Sequence, residues 1–507
     1  METVLNRRYI LTAIIISLLA IILQLIFLNP PILSDQMEYY YWSMRFPHWP
    51  ETPNLEITRI GLVLPIAVLY RIFGPAEISY YLFQVVSLGV LATCIFLIAS
   101  SFFTYRIGVF SALWTLLIPN LLLESGHLSP DIPATALFLS GCTLIQLGNR
   151  SKKWHFSQYS WLLFFAGLLF GWSYLVKEST AILFPLIPVL FWVLDIPLRR
   201  LIPVALGMLS MLILEMAFGI VFFNNPLFHF MAASPREAVG DIQENVGVNL
   251  VYLARLLDKT NGFGTLVILI LGAVNALVHS IKREKRFLFL LAWAALVYIV
   301  FTFVGLLPVI LDWEDRVLLR LHKFRYWIPL IPPLVISGVA WLDQAVETLS
   351  QKFTGIKNKS KSYFWILSLL ILVAANLPGI VVINKDPDLI RNGADHYLEL
   401  RQLLKEQGQD IDTIWIDRDN QRAFDRILPF YTRTFFGNQF WNGQFKYINT
   451  GGQYLRADEI VGGYIIIDRY FMDPNLSDAP SFLTQPPPNW SIEFLSENDE
   501  LALYKVN

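Results

Sequence analysis

Leu33-Ser34-Asp35-Gln36-Met37-Glu38-Tyr39-Tyr40-Tyr41-Trp42 comes shortly after an apolar run, Tyr9 to Leu28, and the two together set the reading of the fold. The run has the length of about 20 apolar residues that a bilayer crossing needs, and Arg7 and Arg8 ahead of it hold its start in the cytoplasm. Asp35 then emerges on the far side, close to the membrane surface. A carboxylate there, among aromatic rings, suits an enzyme that works on a lipid-linked substrate. A solvated loop with an interfacial aromatic belt would look the same in this segment alone, so the rest of the chain decides.

Of the 507 residues, 55% are hydrophobic and only 16% are charged. Soluble proteins carry about 25% charge, so the composition is that of a polytopic membrane protein. The net charge of -1, without a basic stripe, gives no footprint for nucleic acid. The two cysteines, Cys94 and Cys142, fall inside apolar spans and offer neither a disulfide framework nor a metal site. The first apolar run is too long for a cleavable signal and reads as a retained anchor.

Hydropathy predicts about eleven spans, near residues 9–28, 78–100, 106–123, 132–148, 161–176, 180–196, 201–223, 262–280, 287–311, 325–342 and 363–383. Gly61 to Phe73 is apolar but short, flanked by Arg59 and Arg71, and reads as an interfacial or re-entrant helix. With the N-terminus inside, the inner connections carry Arg106; Arg150, Lys152 and Lys153; Arg199 and Arg200; Lys282 to Arg286; and Lys352 to Lys361. The outer ones carry Asp35, Glu38, Glu124, Asp131, Asp241, Glu244, Asp312 and Asp315. This asymmetry obeys the positive-inside rule and puts the C-terminal segment outside. From Asn384 onward long apolar runs stop. A helical pattern over His396 to Gln407, strand-like stretches at 413–417 and 463–468, and a last one within 492–504 predict a small extracytoplasmic α/β domain, residues 384–507, after a membrane domain, residues 1–383.

Four features share the predicted outer face. Asp35 and Glu38 lie three residues apart, on one side of a short helix. Glu124-Ser125-Gly126-His127-Leu128-Ser129-Pro130-Asp131 links the third and fourth spans. Lys177-Glu178 closes the fifth. Arg316, Arg320, His322, Lys323, Arg325 and Tyr326 precede the tenth. Carboxylates on one side and cations on the other could deprotonate a hydroxyl and hold a phosphate leaving group. Each feature also has a plainer reading: Glu38 paired with Arg45, Asp131 capping the fourth span ahead of Pro133, Lys177 paired with Glu178, Arg325-Tyr326 as an interfacial anchor. An ionisable pair at membrane depth, and a basic cluster on the outer face, both favour function.

These motifs, in this order, resemble the GT-C superfamily of polyprenyl-phosphate-sugar glycosyltransferases, nearest to family 39, which holds protein O-mannosyltransferases and the lipid A aminoarabinose transferase. The resemblance rests on Ser34 to Tyr40 in the first outer loop and Tyr70 to Gly74 closing the interfacial helix. It continues with His127 to Pro133, with Gly167 to Lys177 leading to Pro185 and Pro188, and with Arg325-Tyr326 ahead of Pro329, Pro332 and Pro333. It covers residues 1 to about 383 and implies Asp35 as general base for the acceptor, Lys177 and Arg325 on the donor phosphate, and His127 and Asp131 at the sugar or acceptor. Glu38, Glu178, His322 and Tyr326 complete the expected substrate-binding set. Gln36 stands where the family often has a second acid, and the lumenal β-trefoil of the mannosyltransferase branch has no counterpart.

The resulting expectation is a multi-pass bacterial inner-membrane glycosyltransferase that moves a hexosyl or pentosyl unit from a polyprenyl phosphate to a hydroxyl of a glycan, lipid or protein by inverting single displacement. No cofactor is certain, and a divalent cation is possible. Asp35, Glu38, Glu124 and Asp131 offer hard oxygen ligands for a divalent cation, but no dense acidic motif demands one. A transporter of lipid-linked sugars would instead predict repeat symmetry and paired broken helices, and a scaffold for glycan assembly would need none of these charges.

Overall fold

A computed structural model describes residues 7–31, 35–50, 53–150, 156–229, 262–303, 324–352, 359–385, 401–402, 404–406, 411–417, 430–448, 463–468, 492–497 and 501–506. In chain order its helices are α1 (Arg7–Ile26), α2 (Asp35–Arg45), α3 (Leu55–Thr58), α4 (Ile60–Phe73) and α5 (Glu77–Phe102). Then come α6 (Tyr105–Leu116), α7 (Pro119–Ser125), α8 (Asp131–Arg150), α9 (Phe156–Val176) and α10 (Leu186–Val193). The last are α11 (Leu201–Phe223), α12 (Phe263–Ile281), α13 (Lys285–Phe303), α14 (Ile331–Lys352) and α15 (Lys359–Lys385). Among the described residues seven helices are long and apolar enough to cross a membrane, up to eight if a bent pair counts as one. The chain is a multi-pass membrane protein. Two of the expected spans are interrupted. The third bends by 66° between α6 and α7, where Pro119 sits at the start of the new helix. The sixth begins as a 3-10 turn, Glu178–Leu183, and becomes α-helical only past Pro185. The interfacial segment is α4, whose 14 residues give about 21 Å of helix, short of the ~30 Å of a bilayer core.

The chain forms two compact units. The first joins residues 1–28, 47–64 and 83–385. Its core is continuous from α1 and α5 through α8 and α9 to α13 and α14, with Phe96, Phe138, Phe170, Trp293 and Trp327 fully buried. The opposite faces of α1, α11 and α12 expose Ile14, Ile15, Leu209, Ile213, Ile220, Ile270 and Val274, as helices do when their solvent is lipid. Tight helix contacts are made through glycine. A Cβ on Gly167 of α9 would meet the Val204 carbonyl oxygen at 2.1 Å, and one on Gly207 of α11 would meet that of Phe164 at 2.2 Å. Small residues let backbones approach where lipid supplies no hydrophobic drive between helices.

The second unit joins residues 29–46, 65–82 and 386–507. Its sheet has strands β1 (Thr413–Asp417), β2 (Gln444–Ile448), β3 (Gly463–Asp468), β4 (Ile492–Glu497) and β5 (Leu501–Val506) in the order β2-β1-β3-β5-β4. The β2-β1-β3 part is parallel, and β5 runs antiparallel to both β3 and β4. The expected final strand is therefore two paired strands, β4 and β5. The same unit contains α2. Tyr40 is fully buried, its hydroxyl 2.7 Å from Ser79 Oγ and its ring 5.0 Å from Phe430 and 5.5 Å from Tyr80. The Ile78 N–H donates to the Phe435 carbonyl at 3.0 Å, and Arg401 donates to Glu77 at 2.6 Å and to the Arg433 carbonyl at 2.8 Å. Part of the aromatic run after the first span is thus interior packing: Tyr39, Tyr40 and Trp42 are buried.

The glycine seam yields a direct test. Gly207→Leu should force α9 and α11 apart at a cost of about 1–3 kcal/mol or more, lowering the thermal midpoint of the purified full-length protein. An unchanged midpoint would contradict the contact.

Candidate functional site

The first unit gathers most of the expected site residues at one place. α8 begins at Asp131, whose N–H donates to Ser129 Oγ at 3.3 Å, while the Ser129 hydroxyl donates to Asp131 Oδ2 at 2.8 Å. This turn aims the carboxylate inward, where it is buried. α9 ends at Val176, and Lys177 follows in extended backbone (φ -155°) before the 3-10 turn. Its side chain is also buried, and its Nζ donates to Asp131 Oδ1. The ammonium lies 4.5 Å from the centre of the Tyr326 ring, and the Arg325 guanidinium 5.3 Å from the same ring. Arg325 feels the charges of Asp131 and Glu124. His127 is buried nearby; burial, aided by the Arg325 charge, lowers its pKa to about 4 and keeps the imidazole neutral. The void beside the ion pair, lined by Asp131, Lys177, Thr180, Phe301 and Tyr326, holds about 10 Å³. That is room for about one water.

Glu178 goes elsewhere. Gly61 lets the start of α4 lie against the end of α9, since a Cβ there would meet the Leu175 carbonyl carbon at 2.7 Å, and the Gly61 carbonyl accepts from Trp172 Nε1 at 2.9 Å. Arg59 is thereby brought to Glu178 at 3.3 Å. On its other side Glu178 meets His229 Nε2 at 3.4 Å, and His229 Nδ1 meets Glu215 at 2.6 Å. Asn224, with φ of 50°, ends α11 and turns the chain back so that His229 reaches a carboxylate 14 residues earlier. Tyr174 stacks on the imidazole at 5.7 Å. Burial opposes the charge of His229, but Glu178 and Glu215 outweigh it and hold its pKa up at about 9.

Lys177 therefore pairs with Asp131 and not with its neighbour Glu178. Asp35, exposed at the head of α2, and Glu38, half-buried, belong to the second unit. His322, with Arg316, Arg320 and Lys323, lies outside the described residues. Among the described residues no three His, Cys, Asp or Glu side chains are arranged to hold a metal ion, and Asp131 is committed to Lys177 and Ser129. Sequence reasoning missed Glu215 and His229. Glu215 carried a usable signal, a carboxylate deep inside an apolar span.

Two predictions follow from this geometry. Asp131→Asn should leave a buried ammonium without its carboxylate and cost about 3–5 kcal/mol in unfolding free energy, while Asp131→Leu combined with Lys177→Met should recover most of it. Equal losses in the single and double variants, measured by denaturant titration, would exclude coupling. The folded pKa of His229 lies above the ordinary value of about 6.5, so its stabilisation is complete below that pH and disappears as pH rises through about 9. The thermal midpoint should accordingly fall between pH 7 and 10, by a free energy on the order of 3 kcal/mol, and His229→Gln should flatten that fall.

Residues 62–220 match the family model described as dolichyl-phosphate-mannose-protein mannosyltransferase. No curated protein matches the sequence. Among solved structures, ArnT from Cupriavidus metallidurans in the apo state aligns with a TM-score of 0.54 at 14% identity, over 98% of this chain and 97% of that one. The same protein bound to undecaprenyl phosphate aligns at 0.53, with 14% identity and the same coverage. The Archaeoglobus fulgidus oligosaccharyltransferase in complex with Zn and sulfate aligns at 0.50 and 14% identity, over 90% of this chain and 68% of that one. The matched family segment holds His127, Asp131 and Lys177, and the fold extends the likeness over nearly the whole chain. The family match agrees with the resemblance to the polyprenyl-phosphate-sugar glycosyltransferases over residues 62–220, and the chain has the fold of these solved structures.

Proposed function

We propose that the protein is a membrane glycosyltransferase that takes a single sugar, hexosyl or pentosyl, from a polyprenyl phosphate and passes it to a hydroxyl acceptor. The observation that carries this reading is the buried Lys177, held by Asp131 beside Tyr326 and Arg325. A buried cation held, among the described residues, by one short carboxylate on another helix has the make-up of a phosphate site at rest. The arriving phosphate replaces the carboxylate on Lys177, and Arg325 adds a bidentate clamp. The family description and the undecaprenyl phosphate bound to the ArnT structure support a donor of this class.

In the reaction Asp35 takes the proton of the acceptor hydroxyl. The hydroxyl oxygen bonds to the anomeric carbon from the face opposite the phosphate, the carbon–oxygen bond to phosphate breaks, and the phosphate leaves with its charge on Lys177 and Arg325. The configuration inverts. Neutral His127 serves as a hydrogen-bonding group for the sugar. The basic inner loops support a cytoplasmic N-terminus and an extracytoplasmic C-terminal domain in a bacterial inner membrane.

Asp35→Asn should lower turnover by about 10²–10⁴-fold and leave donor binding intact, as loss of a general base does. Lys177→Ala and Arg325→Ala should each weaken donor use, with non-additive effects if they grip one phosphate. The measurement is consumption of a lipid-linked donor by purified protein alongside a donor-binding assay. Donor binding without consumption by the wild type would point to a transporter, and full turnover in a well-folded Asp35→Asn protein would remove the base assignment.

A further inference from the structure

Thr434-Phe435-Phe436-Gly437 forms a tight turn in the second unit. The Gly437 N–H donates to the Thr434 carbonyl at 2.9 Å, the Thr434 N–H donates to the Asn438 carbonyl at 2.9 Å, and Arg433 pairs with Gln439 across the turn. Gly437 takes a φ of 91°, the left-handed residue that closes such a turn. Turn centres ordinarily carry Gly, Pro, Asn, Asp or Ser, and here both central residues are phenylalanine. Packing accounts for Phe435: its ring stacks on Tyr81 at 6.4 Å, and its carbonyl accepts from the Ile78 N–H. It does not account for Phe436, which meets Phe435 edge-on at 5.2 Å and remains 71% exposed. A well-bonded turn thus holds a large apolar ring outward.

The place of the turn says what the ring meets. It sits against the connection between α4 and α5: a Cβ on Gly437 would meet the Phe73 carbonyl oxygen and the Ala76 Cβ, each at 3.2 Å. α5 is one of the helices fit to cross a membrane. Its 26 residues span about 39 Å, against ~30 Å for a hydrocarbon core and about 40–45 Å with headgroups, so its first turn lies among the headgroups. Tyr81, on which Phe435 stacks, is one turn further in, and its hydroxyl donates to the Asn29 carbonyl, three residues past the end of the first span. The tip of the turn is therefore at the boundary between headgroups and acyl chains.

The adjoining end of α4 has the same character. It buries Ile66 and Ala67, yet its outer side is also apolar, with Val68 and Phe73 exposed and Ile72 65% exposed. A helix that is apolar on both sides suits lipid and not water. Arg71, exposed among them, donates to the Phe46 carbonyl at 3.3 Å, and a cation at this level suits the phosphate layer. We propose that Phe436 is a lipid anchor of the C-terminal domain, inserted beside Val68 and Ile72 into the leaflet in which α5 begins. Apolar side chains of interfacial elements enter that boundary by about 5–10 Å. The domain is then held to the bilayer by its own turn as well as by the chain that leads into it.

The test uses full-length protein in lipid nanodiscs, with a single cysteine introduced as Phe436→Cys, Ile72→Cys or Gln444→Cys and labelled with bimane. The native Cys94 and Cys142 are buried, and wild type carried through the labelling measures their background. The nanodiscs are made with and without phosphatidylcholine spin-labelled on the acyl chain close to the headgroup. The label at Phe436→Cys should lose emission several-fold to the spin-labelled lipid, as at Ile72→Cys, and respond little to iodide in the buffer. The label at Gln444→Cys, exposed on strand β2, should respond to iodide and not to the lipid, which shows that the dye alone does not seek the bilayer. A Phe436→Cys label that follows the Gln444→Cys pattern would overturn the proposal. One shielded from both quenchers would mean that protein, a second copy or another partner, covers the turn, and would overturn it equally.

Discussion

One buried charge pair organises the membrane unit. Lys177 and Asp131 are both withdrawn from solvent, and in such surroundings neither charge is tolerable without the other. Much of the surrounding structure serves their meeting: Ser129 orients the carboxylate, the end of α9 delivers the lysine in extended backbone, and Tyr326 offers its ring face to the ammonium. Arg59, Glu178, His229 and Glu215 form the neighbouring layer, and their cations and carboxylates alternate. On the proposed function, a lipid phosphate arriving here would exchange with a resident carboxylate. Its affinity would then be the difference between two strong interactions, which suits a donor that must be gripped in the reaction and released afterwards.

The fold was legible where it depends on composition and illegible where it depends on distant pairing. Apolar runs located the long helices. Pro119 and Pro185 were visible marks of the two interrupted spans, but a hydropathy window averages across them. Strand β2, Gln444–Ile448, went unread because its mixed polar and aromatic residues suit a sheet edge, with Gln444 and Lys446 exposed.

The candidate site shows the same division. Asp131, Lys177, Arg325 and Tyr326 stood out as charged or aromatic residues bordering apolar spans, and three-dimensional proximity then joined them. The partner of Lys177 could not be read, because Asp131 lies 46 residues away while Glu178 is adjacent. Adjacency was misleading for a stereochemical reason: extended backbone at Lys177 sends the two side chains to different sides. His229 had no local signal; it acquires its role only because Asn224 reverses the chain onto Glu215.

The assignment of α2 to the second unit bears on how chains of this fold diversify. The segment with the acidic aromatic helix, the stretch spanning 65–82 and the C-terminal domain share one packing core through Tyr40, Tyr80 and Phe430. They are far apart in sequence, yet they pack against one another. A recombination event that exchanged only the C-terminal domain would orphan Tyr40 and Glu77, whereas one that carried all three segments would transplant a coherent module. Chimeras made with a relative should therefore exchange three segments, which takes five cuts in the chain, and not be cut at the single boundary that composition suggests.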